Sequence, residues 1–219
     1  MGLHRIIAVV ARRLALTAVA SLALVFGTGV ARAASNIDPP RPGQVGFVGQ
    51  GQYGTFFKSG DLAKLFGGGG GYLVRARYRM RYERALGVSF ERQGFDVRDP
   101  SDTTLAHASG VPGNPRTMTT IVSALDYYQM FGTRTATVKY LSASVGLAQN
   151  TIKLDDGETV VNGTYAGDGF LVGVGMGFER YVWQSWAVDV SARYYAMFHL
   201  GHANHEVQLG LGMSFYAGY

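Results

Sequence analysis

The sequence predicts an all-β fold: an eight-stranded antiparallel up-and-down transmembrane β-barrel. Three observations carry that expectation. The C-terminal stretch alternates strictly, the same alternation returns in most of seven earlier segments, and short connections take turns with long ones. From Val207 onward every odd position is apolar (Val207, Leu209, Leu211, Met213, Phe215, Ala217, Tyr219), and the even positions are small or polar apart from Tyr216. Successive side chains on a strand point to opposite faces, so one face is continuously apolar and the other wettable. A lipid-facing strand of about ten residues that ends in an aromatic girdle has this form.

The first 33 residues read as a cleaved secretory leader. Arg5, Arg12 and Arg13 form a basic start, an apolar run spans Leu14 to Phe26, and Ala31-Arg32-Ala33 is a small-x-small cleavage site. The apolar run is short for a helical anchor, which needs about 20 residues. Residues 34–43 then form a periplasmic N-terminal segment, and residues 44–219 form the barrel. Four arginines and no acid leave with the leader, so of 20 basic and 15 acidic residues 16 and 15 remain, and the net charge falls from +5 to +1. The basic balance therefore belongs mostly to the leader and gives no support to nucleic-acid binding. The chain has no cysteine, which excludes disulfides and thiolate metal sites.

The eight expected strands cover residues 44–58, 72–82, 85–97, 116–131, 137–154, 165–182, 186–198 and 206–219. The first contains Gly49-Gln50-Gly51-Gln52-Tyr53-Gly54, which matches a dinucleotide-binding pattern, but no helix follows it and it reads as a glycine-rich strand. After it, Asp61 can start a short amphipathic turn carrying Leu62, Leu65 and Phe66. Contact with the membrane surface and packing over the barrel mouth are both open to that turn. The five glycines Gly67 to Gly71 read as loop.

The second strand fixes the register. Arg75, Arg77, Arg79 and Arg81 share one face, and Tyr72, Val74, Ala76, Tyr78, Met80 and Tyr82 share the other. An arginine on the lipid face near mid-bilayer costs roughly 2–4 kcal/mol, so all four are expected to point inward. The same parity brings Glu91, Asp126, Glu179, Asp189 and Arg193 into the lumen, giving five cations and four carboxylates. Alternation on the fourth strand is blurred, so Asp126 is placed less firmly than the others. An eight-stranded barrel has an interior that side chains can fill, and the expected lumen is a salt-bridged plug. Glu91, on the strand beside the arginine ladder, is expected to reach it.

The fifth, sixth and seventh strands repeat the alternation, with Leu141, Ala143 and Val145, then Phe170, Val172, Val174, Met176 and Phe178, then Trp186, Val188 and Val190 on their outer faces. Links between strands two and three, four and five, and six and seven are short. Those on the other side are longer, including residues 98–115 with three prolines. Short turns face the periplasm in bacterial barrels, and the even strand count puts both termini there. His199, His202 and His205 fall in the last expected loop and read as a solvated loop tip rather than a metal site, since their spacing fixes no coordination geometry.

These features together resemble the OmpA/OmpX and opacity-protein type of small outer-membrane barrel, without the peptidoglycan-binding domain of OmpA. The resemblance covers residues 44–219. It implies a location in the outer membrane of a Gram-negative envelope and no cofactor. It also implies three kinds of partner: membrane lipid and lipopolysaccharide around the rim, the barrel-assembly machinery, which reads a terminal aromatic such as Tyr219 with Phe215 before it, and an unidentified extracellular ligand at the loops. The expected role is structural or surface interaction, with a narrow anion-preferring pore as the alternative. Lipid A deacylases share the architecture and carry a His-x-Ser-Asn segment. The nearest match here, His202-Ala203-Asn204-His205, lacks the serine, so no activated nucleophile is assigned.

Overall fold

The computed structural model describes residues 40–57, 61–98, 113–163 and 166–217. The leader, Tyr219 and most of the long third connection lie outside the described residues. Eight long strands form the wall: β1 (Val45–Phe56), β2 (Gly68–Arg81), β3 (Arg84–Asp96), β4 (Pro115–Phe131), β5 (Thr137–Leu154), β7 (Gly167–Trp183), β8 (Trp186–His199) and β9 (His202–Ala217). A two-residue strand, β6 (Thr159–Val160), pairs with the end of β5, and one short helix, α1 (Asp61–Leu65), follows β1. Each long strand pairs antiparallel with its neighbours in sequence, and β1 pairs with β9 to close the wall.

Ladder partners measure how the wall closes. From Gly46 they lead through Arg77, Gly87, Asp126, Ser144, Gly173, Tyr195 and Glu206 back to β1 at Phe56. The path returns ten residues farther along β1, from 46 to 56, which is the shear of the barrel. Eight strands with that shear tilt by about 40° to the axis, given the usual rise and strand spacing. Closure leaves none of the eight wall strands with a free edge, as a span through lipid requires.

Alternation is obeyed on both faces. Outward side chains such as Leu125, Met176 and Leu209 are each 61 % exposed, while Arg77, Glu179 and Asp189 inside are fully buried. A belt this apolar and this exposed is stable only against lipid. At the short-turn end it is edged by Phe131, Phe178, Trp183 and Trp186, with Phe215 packed on Trp186 at 4.9 Å between ring centroids.

Two local expectations are corrected. The glycine run is strand rather than loop: Gly68 to Gly71 pair with β1, because a Cβ at Gly69 or Gly71 would strike the β3 backbone and only glycine lets the strands meet there. The last loop is absent, because β8 and β9 run on to a two-residue hairpin, Leu200-Gly201, whose φ values of 45° and 82° are those of a type I′ turn. The sixth expected strand is described from Gly167, and its expected start at residue 165 lies outside the described residues. The turn at Asp61, for which two placements were open, packs over the mouth. Leu62, Ala63, Leu65 and Phe66 are buried against Phe56, Phe95, Met118, Ile152, Leu154 and Met197, and Lys64 on the opposite side of α1 is exposed.

Candidate functional site in the lumen

The interior is built in three layers because the inward parity of each strand changes character along its length. At the short-turn end Glu179 on β7 is the hub. Its carboxylate accepts from Arg77 Nη1 at 2.9 Å, from Tyr216 OH at 2.9 and 3.0 Å, and from Tyr181 OH at 3.2 Å, with Arg79 Nη2 at 3.6 Å. Asp189 on β8 sits beside it. Asp189 takes Arg77 Nη2 at 3.5 Å, Tyr140 OH at 2.8 Å and Gln50 Nε2 at 2.7 Å. The Arg77 guanidinium also lies over the rings of Tyr128 and Tyr140, 4.4 and 5.1 Å from their centroids, where the ring faces attract a cation.

One layer up, Arg75 Nε lies 3.7 Å from Asp126 Oδ2, and Ser144 donates to Asp126 Oδ1 at 2.5 Å. Asp126 therefore faces inward despite the blurred pattern of β4. Above it Arg193 and Glu91 form a direct ion pair, joined by Tyr195 OH at 2.6 Å from Glu91 and by Gln52 at 3.3 Å from Arg193 Nη2. Gln93 and Gln208 continue the network to Glu206, which accepts from Gln208 Nε2 at 2.9 Å. The third layer is the apolar cluster under α1.

Sequence parity placed the groups inside but misjudged some pairings. Arg81 is exposed at the end of β2, where the β2–β3 register is irregular before the turn, so it is not part of the lumen. Glu91 does not reach the neighbouring ladder; it crosses to Arg193. The reason is diametric. In a ring of eight strands β2 faces β7 and β3 faces β8, so Arg77 meets Glu179 and Glu91 meets Arg193 across the axis. Glu206 was missed, although it shares the inward parity of Gln208. Its carboxyl is fully buried and faces no cation within ion-pair distance among the described residues. Among the described residues four buried arginines (Arg75, Arg77, Arg79, Arg193) thus meet four carboxylates (Glu91, Asp126, Glu179, Asp189), in place of the expected five cations, and Glu206 adds a fifth carboxyl group outside these pairs.

The histidines do not converge. His199 bonds the carbonyls of Asp168 and Gly163 at 2.6 and 2.9 Å, whereas His205 stacks on Tyr194 and meets its hydroxyl at 2.7 Å. Asn204, between His202 and His205, points into the lumen and is buried. Of the inward serines, Ser191 donates to Gln50 Oε1 at 3.1 Å, and Ser214 is buried.

No known family model matches the sequence, and no curated protein matches it significantly. Solved structures do. Neisserial surface protein A (NspA) superposes with a TM-score of 0.57 at 15 % identity, covering 79 % of this chain and 98 % of that one. The outer membrane protein OprG from Pseudomonas aeruginosa gives 0.51 at 13 % identity, covering 84 % and 100 %. Ail, the attachment invasion locus protein of Yersinia pestis, gives 0.50 at 12 % identity, covering 80 % and 99 %. At such identities the likeness is one of fold, and with the apolar belt and closed wall it gives this chain the architecture of the small eight-stranded outer-membrane barrels.

Proposed function

We propose that the chain is a structural, surface-presenting barrel of the outer membrane with a closed lumen, neither a pore nor an enzyme. One observation carries this reading: among the described residues the interior holds crossed ion pairs below and the α1 cap on an apolar cluster above. An ion would have to cross both the charged layers and the apolar layer, and an apolar constriction resists water and charge alike. Each buried arginine faces a carboxylate, which also removes the motive for anion preference, the alternative drawn from the arginine ladder. Function on this reading resides on the rim, where loops held by a rigid scaffold meet partners. Lipopolysaccharide around the outer rim, the barrel-assembly machinery at the C-terminus and an extracellular ligand at the loops are the partners it proposes.

The test is ion release from vesicles. Purified protein refolded into liposomes loaded with a chloride-sensitive or potassium-sensitive dye should leave their content sealed, at rates close to protein-free vesicles. Rapid release by the wild type would replace the closed barrel by a pore.

A further inference from the structure

The outer wall carries a groove that the lumen reading leaves unused. It has a volume of about 520 Å³ and lies across β5, β7, β8 and β9, between Leu141, Met176, Val190 and Leu209. Its cause is local. Ala192 has Met176 and Leu209 as its two ladder partners, so a short side chain stands between two that project into lipid. Phe131 and Phe178 form the lower end, and between them stands Lys139, their shared ladder partner, exposed on the lipid-facing wall.

An ammonium group set in an aromatic row at the membrane boundary is satisfied by reaching an anion at the lipid–water interface. No carboxylate lines the groove. The depth is also informative. Ladder partners run from Lys139 through Phe178 and Val190 to Leu211, and Leu209 is two residues farther up β9. With the tilt of this wall that climb is about 15 Å, half of a hydrocarbon core about 30 Å thick. The groove is therefore one leaflet deep and begins at the short-turn side.

We propose that this groove is a binding site for one phospholipid of the periplasmic leaflet, with an acyl chain along Leu141, Met176, Ala192 and Leu209 and the phosphate on Lys139. Lipopolysaccharide does not fit, because its phosphates would lie at the opposite end of the barrel. The inference rests on the membrane-spanning reading and adds a specific lipid to it.

Native mass spectrometry tests it, using the full-length protein released from micelles with added phosphatidylglycerol. The wild type should retain one discrete lipid. Ala192→Phe, which fills the slot, should abolish that adduct, and Lys139→Gln should weaken it about two- to five-fold, the strength of an exposed ion pair. Both positions lie outside the lumen, and heat-modifiable gel mobility reports the barrel independently, so loss of the barrel itself is told apart from loss of the lipid. Full retention in either folded variant, or no discrete adduct on the folded wild type, overturns the assignment.

Discussion

Glu179 and Glu206 both carry fully buried carboxyl groups on the inner wall, yet they should respond very unequally to the same change. Glu179→Gln keeps the volume and some hydrogen bonds but removes the charge that faces Arg77 at 2.9 Å and Arg79 at 3.6 Å. Stranding a buried cation costs about 3–5 kcal/mol. Arg77 retains Asp189 at 3.5 Å, so the lower end, about 3 kcal/mol, is expected. Among the described residues Glu206 faces no cation at ion-pair distance, and its Gln208 donor can bond an amide oxygen as well as a carboxylate, so Glu206→Gln should cost less than about 1 kcal/mol. Urea unfolding of barrels refolded in lipid vesicles, followed by the fluorescence of Trp183 and Trp186, reads both. At a slope near 2 kcal/mol per molar, the first variant should lose about 1.5 M in midpoint and the second less than about 0.5 M. Equal losses would refute the reasoning, since burial alone and not ion pairing would then set the cost.

Removing Glu91 leaves Arg193 without its carboxylate, so Glu91→Ala should destabilise the barrel by about 3 kcal/mol or raise ion leakage from loaded vesicles. Phe66→Ala takes a fully buried ring out of the cap and should cost about 3 kcal/mol in urea titrations, because a cavity replaces packed atoms. Tyr219→Asp places a charge at the membrane boundary and removes the terminal aromatic, and should lower the amount of heat-modifiable protein recovered in the outer-membrane fraction.

The wall was legible in the sequence because strand alternation is a local property. Arg75, Arg77 and Arg79 could face only inward, and their parity carried Glu91, Glu179, Asp189 and Arg193 with them. Pairing across the lumen was harder to read, because it depends on shear and on which strands stand opposite, and neither is written in any one segment. The upper lumen was hidden by apolar residues on both faces of β4: Met118 and Val122 point in while Ile121 and Leu125 point out, so the pattern looked blurred rather than two-sided. Leu200-Gly201 lacks the Asn-Gly mark of a tight hairpin, and the histidines around it suggested a loop. The glycines at Gly68 to Gly71 suggested a loop for their composition, whereas close strand approach is what uses them.

The central claim is the two-faced wall, and solvent accessibility along β9 tests it most directly. Spin labels placed singly at residues 207 to 214 of the protein in lipid vesicles should alternate with period two. Labels at Leu209, Leu211 and Met213 should be relaxed by lipid-soluble oxygen, and those at Gln208, Gly210 and Gly212 should be shielded from it. A flat profile, or one with the two sets interchanged, would contradict the barrel and its register.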